Sequence, residues 1–167
     1  MEQSLSVCRY RCPVCRTALY ETGKTYTCEN RHTFDVSAEG YVNLAAVKKN
    51  VSELSGDAAD TCRARRRFLE TGHYKPLADA LCELAEAYGA VSDGAFVIDA
   101  GCGEGYYARQ LKARYPGIDL YGIDLAKQGI KLAAKYQKHA EQKNHYAVAG
   151  IFDMPFEIGR ASCRERV

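Results

Sequence analysis

The sequence predicts an α/β protein in two parts, a small metal-stapled module followed by a doubly wound parallel sheet. Two observations carry that expectation. Residues 97–107 read Val-Ile-Asp-Ala-Gly-Cys-Gly-Glu-Gly-Tyr-Tyr, an apolar run that ends on Asp99 and passes into three glycines at alternate positions. Near the start, Cys12, Cys15, Cys28 and His32 form two short pairs, C-x2-C and C-x3-H.

The module comes first in the chain. Zinc takes four nitrogen or sulfur ligands in a tetrahedron, and two loops supplying two ligands each build one readily. Between the pairs, Ala18 to Tyr20 and Thr25 to Thr27 flank a Glu-Thr-Gly turn and read as a hairpin. So short a module has too little apolar core to fold alone, and zinc would supply the missing stability. Cys8, Cys12 and Cys15 also spell C-x3-C-x2-C, the iron–sulfur spacing of radical S-adenosylmethionine enzymes. That alternative leaves Cys28 and His32 without a role. On the zinc reading Cys8 is a spare thiol.

Phe34 to Leu44 reads as a short strand, a turn at Gly40, and a second short strand. Residues 45–57 are polar and expected to form a loop carrying Lys48 and Lys49. A helix is expected over Asp60 to Glu70, ending near Gly72 and carrying Arg63, Arg65, Arg66 and Arg67. Such a cluster can contact phosphates, although a solvated helix face is the default. Pro76 opens a further helix whose Leu77, Leu81, Leu84 and Tyr88 share one stripe, expected to pack on the sheet.

Ala95 to Ile98 then suits a buried parallel strand, and Tyr107, Leu111 and Tyr115 at four-residue spacing suit the helix that follows. Strand, glycine loop and helix together make a nucleotide cradle. The spacing excludes a dinucleotide fingerprint, which needs G-x-G-x-x-G. Asp99 ahead of the first glycine would repel a pyrophosphate and suits a ligand with an ammonium group and hydroxyls. A second apolar run, Leu120 to Ile123, ends on Asp124, where an acid can accept hydrogen bonds from both ribose hydroxyls. A helix with Ile130, Ala133, Ala134 and Tyr136 leads to a third strand near Tyr146 to Ala149.

Bulk properties narrow the class. A chain of 167 residues with net charge +2 is globular in composition and not basic enough to prove a nucleic-acid partner by charge alone. It carries no apolar run of membrane-spanning length and no signal-peptide pattern, so a cytoplasmic protein is expected. In a reducing compartment its eight cysteines point to metal rather than disulfides.

The zinc pattern, Tyr41-Val-Asn-Leu44, Arg65-Arg66-Arg67-Phe68-Leu69, Gly72-His73-Tyr74 and Cys102-Gly103-Glu104-Gly105-Tyr106-Tyr107 occur in one order. In that combination the chain resembles the N-terminal part of the 23S ribosomal RNA (guanine-N1)-methyltransferases, over roughly residues 12–156. The resemblance implies a zinc-ribbon module that contacts RNA and a truncated class I (Rossmann-like) S-adenosylmethionine-dependent domain. It implies zinc ligands Cys12, Cys15, Cys28 and His32. Cofactor contacts are implied for Tyr74, Glu104 and Gly105, with Asp124 at the ribose, beside the Asp99, Gly101 and Gly103 of the glycine loop. The substrate implied is a hairpin of 23S rRNA, and a homodimer of the full-length protein is compatible with the resemblance. The expected organisation is a zinc module over 8–44, a linker and basic helix over 45–75, and half a methyltransferase domain over 76–156. Glu157 to Val167 reads as a non-native tail, like a translated sequencing adapter. Such a half-domain is expected not to methylate RNA by itself. No catalytic base is identifiable; Asp153 is the one weak candidate. Rival readings are a small-molecule methyltransferase and a zinc-ribbon RNA-binding module without catalysis.

Overall fold

A computed structural model describes residues 6–45, 59–138, 140, 141 and 143–157. The loop expected over 45–57 and the tail beyond Glu157 lie almost wholly outside these residues. Two four-stranded sheets organise the described residues. The first is an antiparallel ribbon in chain order: β1 (Ser6–Arg11), β2 (Ala18–Thr22), β3 (Thr25–Cys28) and β4 (Thr33–Asp35). β2 and β3 are the expected hairpin, with Thr22 opposite Thr25 at the turn. β1 was not anticipated. Its signal is a period of two, with Cys8 and Tyr10 buried and Arg9 between them exposed.

The second sheet is parallel, in the order β5 (Tyr41–Asn43), β8 (His145–Val148), β7 (Asp119–Asp124), β6 (Phe96–Ala100). The two short strands around Gly40 therefore part company. β4 stays in the ribbon, and β5 joins the parallel sheet beside β8, with one isolated bridge, Val36 to Val42, across the turn. Burial explains the parting. Tyr41, Val42 and Leu44 are all buried, and the Leu44 amide donates to the Val148 carbonyl at 2.9 Å.

The described residues also form four α-helices, α1 (Ala59–Leu69), α2 (Lys75–Ala87), α3 (Tyr106–Arg114) and α4 (Lys127–Tyr136). Alternation along β7 sends side chains to two faces. Leu120 packs with Ala108 and Ile118 on the α3 side. Tyr121 and Ile123 turn the other way and join Tyr10, Leu19 and Tyr26 of the ribbon in one core. Tyr10 sits at its centre, edge-on to Tyr121 at 4.9 Å and stacked on Phe156 at 5.5 Å. The ribbon thus covers one face of the parallel sheet, as both faces of such a sheet require.

One expectation fails. Leu77, Leu81 and Leu84 of α2 and Tyr88, which caps its end, do not pack on the sheet; they are 47%, 44%, 53% and 82% exposed. α2 instead buries Ala78 and Cys82, and Ala78 packs with Leu69 and Tyr106. The reason lies in β6, which is an edge strand among the described residues, so no further strand lies beneath the stripe. Among the described residues, no helix is long and apolar enough to cross a membrane.

Candidate cofactor site and metal centre

The metal centre is built by two knuckles. Cys12 directly follows β1, Cys28 ends β3, and Cys15 and His32 come three and four residues after them. Arg16 and Arg31 take left-handed backbone, and their amides close each knuckle on the carbonyls of Cys12 (2.8 Å) and Cys28 (2.9 Å). The four ligand atoms lie within 4.8 Å of one another. The Cys15 and Cys28 sulfurs are 3.7 Å apart, and His32 Nδ1 is 3.4 Å from the Cys28 sulfur and 3.6 Å from that of Cys12. A tetrahedral zinc with ordinary bond lengths needs roughly 3.8 Å between two sulfurs and roughly 3.6 Å between sulfur and nitrogen. The residues fit the ion. Hydrogen bonds from Asn30 and then Thr17 hold the Cys15 thiol down at about 5, toward the thiolate a metal requires. Cys8 takes no part. Its thiol donates to the Leu19 carbonyl at 3.1 Å, and burial pushes it up to about 11. The iron–sulfur alternative, which needs Cys8 as a ligand, loses its third cysteine.

The second site lies where β6 and β7 end side by side, with Asp99 paired to Gly122 and Ala100 to Ile123. The chain leaves β6 through Gly101, whose amide donates to the Ile123 carbonyl at 2.8 Å. Asp124, ending β7, accepts the Gly103 amide at 2.9 Å on one oxygen and the Ala126 amide at 2.7 Å on the other. Each oxygen keeps a lone pair for a ligand hydroxyl. Gly105 caps α3 with φ +76°, and a Cβ there would stand 2.6 Å from the Tyr146 hydroxyl. Asp99, Gly101, Gly103, Glu104, Gly105 and Asp124 thus share one strand-end crevice, the place where open α/β sheets bind ligands.

Three features of the crevice suit a cationic, hydroxyl-rich ligand. Burial, and then the neighbouring Asp124, raise Asp99 from 3.8 to about 6. Glu104 is buried, and its Oε1 has no partner. Gly101 and Gly103 have nothing within 4 Å of a would-be Cβ, so their backbone is open to close approach. A prediction follows from Asp99. Its proton stays on in the folded chain up to about pH 6 but leaves the unfolded chain near 4, so its contribution to stability is lost as pH rises through that window. A cationic ligand should show the opposite trend, binding more tightly as pH rises through about 6. Asp99→Asn should flatten that profile in calorimetric titrations between pH 5 and 8.

Tyr74 stands apart. It precedes α2 and packs edge-on to Phe68 at 5.6 Å, with 41% exposure, and none of its described contacts is to the loop at 101–105. Asp153, the weak candidate base, lies in a 3-10 turn and is ion-paired with Arg16 of the ribbon. The sequence reading missed two cations. Arg66 Nη1 donates to Glu104 Oε2 at 2.7 Å, and Arg109 reaches the same oxygen at 3.2 Å and the Glu104 carbonyl at 2.7 Å. Arg66 therefore faces inward and leaves the group of phosphate-contact candidates.

Known proteins give both sites a setting. Residues 10–53 match the family described as RlmA, N-terminal, a zinc ribbon, and residues 97–163 match the family described as methyltransferase domain. The 23S rRNA (guanine(748)-N(1))-methyltransferase of Streptomyces fradiae is 33% identical over 94% of this chain and 54% of its own length. YxjB of Bacillus subtilis, named for a 23S rRNA (guanine-N(1)-)-methyltransferase, is 35% identical over 93% of this chain and 55% of its own. A Micromonospora griseorubida protein named for the same activity is 30% identical over 78% and 48%. The chain spans about half the length of these curated relatives. As a zinc ribbon ahead of a Rossmann-like methyltransferase sheet, the chain is similar along nearly its whole length to proteins of one name, the 23S rRNA (guanine-N1)-methyltransferases.

Proposed function

We propose that the protein to which this chain belongs transfers a methyl group from S-adenosylmethionine to N1 of a guanine in a hairpin of 23S rRNA. The observation that carries this reading is the convergence of Asp99, the glycine loop and Asp124 at adjacent strand ends. Asp124 accepts the ribose hydroxyls, and Asp99 and Glu104 face the cationic end of the cofactor. Tyr74 is a cofactor contact that the α1–α2 turn would bring in when the crevice is filled. S-adenosylmethionine, once bound, supplies a methyl on a sulfonium that guanine N1 attacks in line. N1 lies on the pairing edge of the base, so the guanine must be unpaired or turned out of its stack, as hairpin loops permit. The ribbon over 8–44 and the basic helix within 45–75 serve the RNA, with Arg63 and Arg67 on the outer face of α1. The segment 76–156 serves the cofactor, and the tail from 157 serves neither. The cytoplasm, where ribosomal RNA is made available, is the working compartment, and a homodimer is the working form.

The test uses protein with the span of its relatives and labelled S-adenosylmethionine. Methyl should appear in 23S rRNA as 1-methylguanosine at one position after nuclease digestion. Asp124→Ala should weaken cofactor binding roughly tenfold or more, since hydrogen bonds to a charged acceptor are worth about 1.5–3 kcal/mol. Label in a small amine instead, or an unchanged affinity in Asp124→Ala, would overturn the assignment.

A further inference from the structure

We propose that Arg66 is a positioning residue: it holds Glu104 of the glycine loop by one carboxylate oxygen and leaves the other for the cofactor. The proposal rests on the cofactor reading above. Its starting point is the helical face of α1. Cys62 and Leu69 are buried, and Arg66 lies between them at i+4 and i−3, so it faces inward with them. Its side chain is 16% exposed.

That guanidinium is held by several partners. Nη1 bonds Glu104 Oε2 at 2.7 Å, and Nη2 pairs with Glu70 Oε1 at 2.9 Å. The planar group lies 3.3 Å over the Tyr136 ring at the end of α4. Arg109 closes the network, donating to Glu104 Oε2 and to Glu70 Oε1, each at 3.2 Å. Two guanidinium groups and two carboxylates thus balance in charge. A buried carboxylate without such partners would cost several kcal/mol.

The network is lopsided. Both cations converge on Oε2, and the buried Oε1 is left with no partner. Buried acceptors are almost always satisfied, so an orphan oxygen in a loop shaped for a ligand calls for a donor from that ligand. The cofactor brings ammonium and hydroxyl donors. Arg109 cannot set the loop's position alone, because it sits on α3, which continues directly from the loop and moves with it. Arg66 comes from α1 and is braced on α4 through Tyr136, so it fixes the loop against the two neighbouring helices. A lysine would pair one oxygen as a point charge but could not hold Glu104, Glu70 and the ring together.

The experiment is a double-mutant cycle read by calorimetric titration of S-adenosylhomocysteine into the full chain, with Asp124→Ala alongside. Arg66→Ala should weaken binding roughly tenfold. Arg66→Lys should recover part of that loss, and Arg114→Ala, an exposed arginine paired with Glu83 and Glu86 of α2, should leave this affinity unchanged. Arg66→Ala should add little on top of Glu104→Gln, because the arginine acts through that carboxylate. Hydrogen exchange without ligand gives a second readout: amides of 103–106 should exchange faster in Arg66→Ala and at an intermediate rate in Arg66→Lys. Additive losses in the cycle, or full affinity in Arg66→Ala while Asp124→Ala binds weakly, would overturn the proposal alone. Unchanged affinity in both Asp124→Ala and Glu104→Gln, or no binding to the unaltered chain, would overturn the cofactor reading instead. Should Arg66→Ala fail to fold, the lysine variant and the exchange rates still decide.

Discussion

Stripping zinc from this chain is expected to unfold it, and the loss will not stop at the ribbon. Structural zinc in small modules contributes on the order of 10–16 kcal/mol, which matches or exceeds the whole stability of an ordinary domain. Here the ribbon has no core of its own. Leu19, Tyr10 and Tyr26 are buried in the same cluster as Tyr121, Ile123 and Ala147 of the parallel sheet. If the knuckles open, β1 and β3 lose their ends and one face of that sheet meets water. Chelation should therefore abolish a single cooperative transition in circular dichroism, not trim its amplitude. About one zinc per chain should be released, and neither iron nor sulfide. Cys28→Ser should reproduce the effect, since that buried sulfur also accepts the His32 amide at 3.3 Å. Cys8→Ser should keep its metal. Metal lost from Cys8→Ser and retained in Cys28→Ser would show that the ligand set is wrong.

The clustering of Cys12, Cys15, Cys28 and His32 was legible because metal geometry is written in short spacings. Two residues between Cys12 and Cys15 and three between Cys28 and His32 leave the chain few ways to fold locally. The strand-end acids were legible for a related reason. A strand of a covered parallel sheet reads as a continuous apolar run, so Asp99 and Asp124 mark where each run stops, although β6, at the described edge, is only half-buried. What escaped was long-range. Nothing near Gly40 says that Tyr41–Asn43 will leave the ribbon and lie beside β8, more than a hundred residues later. The stripe of α2 was misplaced because periodicity identifies an apolar face without naming its partner. Arg66 is the instructive miss. Among four arginines in five positions it looks like its neighbours, yet Cys62 and Leu69 already define the inner face on which it falls. Reading charge composition without helical phase put it with the surface cations.

Gly105→Ala is expected to cost more than any other single methyl in the cofactor loop. Two terms add. At φ +76° an alanine is held in left-handed backbone, which costs roughly 1–2 kcal/mol. Its Cβ would also stand 2.6 Å from the Tyr146 hydroxyl and 3.0 Å from the Ala133 Cβ. Neither neighbour can yield cheaply. Tyr146 is 1% exposed on an inner strand, and its hydroxyl receives the Asn144 side-chain amide at 3.3 Å. Ala133 is fully buried on α4. Overpacking of that kind typically adds about 1–3 kcal/mol. Gly101→Ala is the matched control: its φ is +84°, but nothing lies within 4 Å of its Cβ. Gly101→Ala should therefore lose only the backbone term in denaturant unfolding, and Gly105→Ala both. The two should separate differently in ligand binding. A methyl on Gly101 enters the open cradle and should weaken S-adenosylhomocysteine binding out of proportion to its small effect on stability. A methyl on Gly105 strains the start of α3 from behind and should weaken binding only as far as it shifts Glu104. Equal stability losses in the two variants would mean that Tyr146 gives way, and that the loop is not braced by β8 as its distances indicate.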